Sequence, residues 1–274
     1  MSKIQKKRET IKSIFHREIE EDMKKYTINI DKPEFFKEND IIQLPPPVQR
    51  YFKHCGYIGK EKMANAQIKY ESAYLKMSKK QKWINIQCRQ YNSVHEPTRI
   101  IYMKSKILGI FRFEGRDKYH NGIGNMLVRL LKRFTVVDAL GKEMDASALV
   151  TVLAEVFLVP SYALQPYVKW QSIDDNSARA TLTFNETKVS AMFHFNSIGE
   201  MTKIDTDDRY FTEKDGTYAN VKWSALMSDY IEKEGIKFPS EFKGVWHFND
   251  GDFEYFKGKI AQLKFNISSH EIFK

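Results

Sequence analysis

From residue 66 onward the chain alternates apolar and polar side chains with a period of two, the pattern of strands that bury one face. Ile84, Ile86 and Cys88 alternate with Asn85, Gln87 and Arg89, and Ile110 and Arg112 alternate with Phe111 and Phe113. The clearest case is a hairpin. Ala178, Ala180, Leu182 and Phe184 run up to Asn185-Glu186-Thr187, and Val189, Ala191, Phe193 and Phe195 run back. Further strands are expected at 201–211, 218–231, 242–248 and 253–267, joined by short turns with Gly, Asn or Asp. Short connections between successive strands imply antiparallel pairing.

Three segments break the alternation. Residues 145–159 are apolar at nearly every position, with Asp145 placed as an N-cap and Pro160 as the stop. The only polar residues between them are Ser147, Thr151 and Glu155, four apart, which form one narrow stripe. A helix this apolar is buried over most of its circumference. If its stripe lies inside, Glu155 needs a partner, because an unpaired buried carboxylate is very costly. That partner is expected from an Arg or Lys of the sheet, unless the carboxylate reaches water. Residues 3–26 read as a charged helix with Ile4, Ile11, Ile14, Phe15, Ile19 and Met23 on one side. It either lies on its own domain or makes a peripheral membrane contact. Leu44-Pro45-Pro46-Pro47-Val48 leads into a short helix expected at 48–55, with Pro47 as its first residue and Gly56 after its end. The fold class is therefore α+β: a large, curved, mostly antiparallel sheet packed on a central apolar helix. Residues 1–43 form a charged N-terminal helix and linker, and residues 44–274 a single sheet domain.

Composition narrows the classes of function. Hydrophobic residues at 42% and aromatics at 14% exclude a disordered chain. The net charge of +9 attracts anions, but the Lys residues are spread along the chain and no basic-aromatic run marks a specific nucleic-acid site. Cys55 and Cys88 have no C-x-x-C spacing and read as reduced core thiols, with a single bridge between them as the alternative. The first ten residues lack a signal-peptide core and no stretch is long enough to span a bilayer, so a cytoplasmic location is expected. The seven histidines form neither H-x-x-x-H nor H-E-x-x-H, so no metal site is expected. There is no G-x-S-x-G and no P-loop, and Gly122-Ile123-Gly124 lacks the third glycine of a dinucleotide fingerprint, so no cofactor is expected. That glycine pair reads as a bend where a missing side chain lets backbone approach closely, and His120 beside it as an ordinary surface histidine.

A resemblance follows from landmarks in a fixed order. The L-P-x-x-V-x-R-Y pattern is present as Leu44-Pro45-Pro46-Pro47-Val48-Gln49-Arg50-Tyr51, and D-x-Y-x-x-G-x-G-x-M runs from Asp117 to Met126. Leu153-Ala154-Glu155 precedes Pro160, and Trp170, Arg209, Trp223, Tyr230, Gly235, Pro239 and Trp246 follow. Over about residues 44–267 the chain resembles a bacterial family classed as a domain of unknown function. Members often carry Arg four residues before the Glu, where this chain has Thr151, which weakens the case for an ion pair within the helix. The family's arrangement is similar to half-barrel lipoprotein carriers such as LolA, which implies a curved sheet wrapped around helices with an apolar cleft.

Three functions remain. The first is binding of a hydrophobic or amphipathic, lipid-like molecule in a cleft between sheet and helix. Arg89, Asp117, Tyr119, Glu155 and Arg209 would be its polar groups, and Trp170 and Trp223 two of its walls. Those tryptophans, with Trp83 and Trp246, are equally readable as plain core. The second is an enzyme with Glu155 or Asp117 as acid or base and Arg89 or Arg209 stabilising an anion. The third is an anion-binding or protein-binding surface.

Overall fold

The computed structural model describes residues 9–26, 33–107, 111–213 and 215–273. Residues 3–8 of the expected first helix, and Ile110, lie outside them. Three helices come first: α1 (Ile11–Tyr26), α2 (Glu38–Ile41) and α3 (Pro46–His54). Strands β1 (Asn65–Leu75), β2 (Ile84–Asn85), β3 (Gln87–Ser93), β4 (Thr98–Ile107), β5 (Phe111–His120), β6 (Ile123–Leu130) and β7 (Phe134–Ala139) follow. After α4 (Lys142–Ala154) come β8 (Val168–Asp174), β9 (Ser177–Phe184), β10 (Thr187–Phe195) and β11 (Met201–Thr206). The chain continues with β12 (Tyr210–Thr212), β13 (Tyr218–Asn220), β14 (Trp223–Lys233), β15 (Ile236–Phe248) and β16 (Gly251–Phe265).

Fourteen strands form one antiparallel sheet in the order β7-β6-β5-β4-β3-β1-β16-β15-β14-β11-β10-β9-β8, with β2 beside β1. The ribbon β12-β13 stands apart. α4 packs on β5 and β6 near one end of this order and on β9 and β10 near the other. One helix reaches both only because the sheet curls around it into a half-barrel. The two ends come together at their turns. A Cβ on Gly122 would lie 2.0 Å from the Asn185 amide of the opposite hairpin, and Tyr119 and Phe184 meet at 6.5 Å. Bulges in β1 near Tyr70 and between Gly244 and Val245 of β15 bend the strands.

The inner face of the curl holds the main core. Leu149, Val152, Leu153 and Val156 are fully buried with Ala180, Leu182 and Phe193 of the second hairpin. α4 begins after Gly141, whose φ of 115° only glycine tolerates, and carries Glu143 and Asp145 in its first turn. It tightens into a 3-10 turn at Glu155–Phe157 because the residue before Pro160 is pushed out of the helical region. The helix therefore spans Lys142–Ala154 rather than 145–159, and Asp145 is no N-cap. Its carboxylate instead accepts a hydrogen bond from the backbone N–H of Gly124 at 2.7 Å.

α1 packs on the outer face. Ile11, Ile14, Phe15, Ile19 and Met23 are buried against Tyr91, Ile100, Tyr102 and Leu127. The apolar stripe that a membrane contact would use is thus already covered over the described part of this helix. The interface is also ionic. Glu18 meets Lys118 at 2.9 Å, and Tyr91 donates to Asp22 at 2.9 Å. His120 is buried beside Asp22 at 3.8 Å, so it is not the surface histidine that the sequence implies.

Other boundaries move for local reasons. α3 starts at Pro46, one residue before the expected Pro47. The expected strand 218–231 is two strands, β13 and β14. β15 begins at Ile236, well before the expected 242, and contains Pro239. Proline is tolerated there because β16 pairs with β15 only from Glu241 onward, so Pro239 sits on a local edge. Both cysteines are free and buried, and burial pushes the Cys88 thiol up to about 12. No described helix is long and apolar enough to cross a membrane.

Candidate functional site

The stripe of α4 faces inward. Ser147 accepts a hydrogen bond from the Tyr210 backbone N–H at 2.9 Å, and Thr151 donates to the Ser147 carbonyl at 3.0 Å. Glu155 is buried and fully engaged. Its Oε1 accepts from Arg99 Nε at 2.6 Å, and its Oε2 from Gln90 Nε2 and Asn92 Nδ2 at 2.7 Å each. Arg99 Nη1 also reaches Asp117 Oδ2 at 2.7 Å. Gln90, Asn92, Arg99 and Asp117 project from β3, β4 and β5 onto the same inner face, because residues two apart share a face. The network extends through the Tyr70 hydroxyl, which donates to Gln90 at 2.6 Å, and through Tyr162, 3.2 Å from Asn92 Nδ2. Burial works against the Arg99 charge, but Glu155 and Asp117 outweigh it and raise its pKa. The partner of both carboxylates is Arg99 of β4, an arginine of the sheet as expected for Glu155, while neither Arg89 nor Arg209 reaches them. Three accepted hydrogen bonds take most of the acceptor directions of the Glu155 carboxylate and tie the turn after α4 to the sheet.

Arg209 and Trp223 do come together. The Arg209 guanidinium lies 4.3 Å from the Trp223 ring centre, 5.2 Å from Trp246 and 5.9 Å from Tyr255. Such stacking is worth ~0.5–2 kcal/mol depending on desolvation. Yet Arg209 Nε and Nη1 and Trp223 Nε1 are buried donors without a hydrogen-bond partner. No carboxylate lies within ion-pair distance of Arg209 among the described residues. The rings continue along the inner face of β15 and β16. Phe211 packs on Trp246 and Phe248 at 5.5 and 5.1 Å, and Trp246 on Tyr255 at 5.9 Å. Further along, Phe242 meets Phe256 at 5.6 Å and Tyr70 at 5.8 Å. Phe211, Tyr255, Phe242 and Phe256 are only partly buried, and so are Leu75, Ile84 and Met126 beyond them.

The remaining candidates are scattered. Arg89 lies on the outer face, its guanidinium 5.4 Å from the Phe273 ring, so it shares no cleft with Glu155. Tyr119 is fully buried in the core. Trp170 donates to the Ala163 carbonyl at 3.0 Å and borders a separate cleft of about 350 Å³ with Asp40, Leu44 and Lys62.

One constellation was not legible in the sequence. Ser224 Oγ lies 2.7 Å from His247 Nε2, and His247 Nδ1 lies 2.7 Å from Asp252 Oδ1. This has the spacing of a serine-hydrolase triad, but Ser224 has a second acceptor. Ser224 also donates to Asp205 at 2.5 Å, and Asp205 is held by His194 and Lys203 at 2.9 Å each. Ser224 has a single hydroxyl proton, and Asp205 competes for it with His247 Nε2. Ser224 is also fully buried, at the start of β14, where no substrate carbonyl reaches it. Burial alone would raise the Asp205 pKa, but hydrogen bonds from Ser224 and Lys203 and the nearby charges hold it below 3.8. Asp205 therefore stabilises the fold fully above pH 3.8 and less as pH falls through its lower folded value. Asp205→Asn is expected to flatten the acid limb of a stability-against-pH curve. An unchanged limb by circular dichroism would count against this role.

The geometry defines a curled antiparallel half-barrel with a helix in its trough and an aromatic strip beside it. The chain belongs to a family of unknown function, DUF6920, which matches residues 42–265. No curated protein matches it. Similar solved structures include a LolA superfamily protein from Nitrosomonas europaea, 10% identical with a TM-score of 0.40, covering 86% of this chain and 94% of that one. They also include a DUF1329 family protein from Desulfovibrio piger, 9% identical with a TM-score of 0.42, covering 81% and 91%.

Proposed function

We propose that the protein binds an apolar or amphipathic molecule along the inner face of its curled sheet. The observation that carries this reading is the partly exposed aromatic strip from Phe211 to Phe256, which ends at the unpaired donors of Arg209 and Trp223. Binding sites of this kind are mostly apolar with a few polar groups that fix orientation. Aromatic side chains left half-covered on a core face carry unspent burial of about 25 cal/mol per Å². A partly buried guanidinium with two buried, unpaired N–H groups and no carboxylate favours an anionic or acceptor group on the ligand. The Glu155 network stands beside this track as its support.

Purified protein is expected to release lipid on organic extraction, detected by mass spectrometry. Stripped protein should take up a long-chain fatty acid and, more weakly, the alcohol of the same chain length. Arg209→Met should lower affinity for the acid by about tenfold, the value of one charge-assisted hydrogen bond, and leave the alcohol unchanged. No lipid in the extract together with no uptake of a fluorescent fatty acid would sink the proposal.

A further inference from the structure

The outer face carries a second cleft, of about 430 Å³, between the start of α1 and strands β1, β3 and β4. Its rim is strongly basic. Lys12 of α1, Lys69 of β1, Arg89 of β3 and Lys104 of β4 line it, with Glu71 as the one carboxylate among its lining residues. Lys69 sits directly opposite Arg89, and Gln87 directly opposite Lys104. Like charges placed directly across a ladder cost stability. A merely solvated face would have no reason to gather them around a concavity. Lys12, Arg89 and Lys104 have no ion-pair partner among the described residues. Glu114, opposite Lys104 on β5, is buried and acts on the Tyr102 hydroxyl, which it helps to raise after burial. The positive field is felt by a neighbour. His16 is held below its ordinary pKa first by burial and then by Lys12 and Arg89. Neutral hydrogen-bonding groups complete the lining: Ser72, Asn85 and Gln87. The helix end that opens on the cleft has no acidic residue in its first turn.

We infer that this cleft binds a phosphoryl group carried by a small organic molecule or a lipid headgroup. Arg89 supplies a planar fork for two phosphoryl oxygens, Lys12 and Lys104 supply point charges from either side, and the amides read the remainder of the ligand. The volume is in the range of ordinary small-molecule sites, about 300–1,000 Å³. The cationic side chains of the cleft lie on the face opposite the aromatic strip, so the two readings stand or fall separately.

The test is calorimetric titration of the full chain with glycerol 3-phosphate and with glycerol, alongside co-sedimentation with phosphatidylcholine vesicles containing or lacking phosphatidylglycerol. Saturable binding of glycerol 3-phosphate but not glycerol supports a soluble ligand. Sedimentation with the anionic vesicles alone assigns the phosphoryl group to a headgroup. In either case Arg89→Glu with Lys104→Glu should weaken binding by about tenfold or more, through lost charge-assisted hydrogen bonds. Lys243→Glu, a charge change on the far strands, should leave it unchanged. Thermal melts report that each variant folds. Two outcomes overturn the inference: no binding in any arm, or binding that Lys243→Glu weakens as much as the cleft variants do, which is attraction to net charge alone.

Discussion

Glu155→Ala is expected to destabilise the protein by about 3–5 kcal/mol, the usual cost of removing one member of a buried ion pair. The loss has identifiable parts. Arg99, whose side chain is 10% exposed, would retain only Asp117, and the amides of Gln90 and Asn92 would lose a common acceptor. Glu155→Gln keeps the shape but places an amide N–H against donors on one side or the other, so a smaller loss of about 2 kcal/mol is expected. Arg99→Met should be comparably harmful, and the double variant Glu155→Ala with Arg99→Met should cost much less than the two single changes added together, in a cycle of parent, singles and double. Denaturant unfolding of the four proteins measures this. If Glu155→Gln kept full stability yet abolished ligand uptake, the carboxylate would be functional instead.

Gly124→Val is the second large effect. A Cβ at Gly124 would lie 2.4 Å from the Met144 carbonyl oxygen and 2.9 Å from the Ala148 Cβ. The obstacle is helix backbone, which cannot rotate away, and Asp145 simultaneously ties the Gly124 N–H to that same turn. The helix must move off β6 or the strand must bend. A cost at or above the upper end of ordinary overpacking, about 3 kcal/mol, is expected. Gly124→Ala should already cost a measurable fraction of it. By contrast, Gly59→Ala meets nothing within 4 Å, and any cost there comes only from its φ of 83°. Melting temperatures of the three variants separate steric from conformational effects.

Much of the fold was readable because local pattern and final environment agree. In the hairpin of β9 and β10, the residues picked out by alternation, Ala178 to Phe195, are those that face the core. The close approach at Gly124 was readable from the absence of a side chain. The start of α4 was misplaced because Asp145 has the chemistry of a cap, while the helix begins after the backbone turn at Gly141. The need for a partner at Glu155 was visible in its apolar surroundings, but its identity was not, since Arg99 is 56 residues away and joined only through sheet register. Arg209 was picked out, yet it fell inside an expected strand 201–211 that the structure breaks after Thr206, and its place over Trp223 comes from the turn that leaves β11. The convergence of Ser224, His247 and Asp252 has no sequence signature, because three separate strand positions create it.

The position of β16 bears on how the chain comes off the ribosome. This strand is made after the other described strands, yet it lies between β1 and β15 at the middle of the sheet. The strands before α4 and those after it can each assemble as a meander of neighbours while synthesis continues. Until β16 emerges, β1 and β15 each show a bare row of backbone donors and acceptors, and such edges invite pairing with other chains. β16 thus acts as a seam, joining two half-sheets that the growing chain has to keep from pairing elsewhere until that strand arrives.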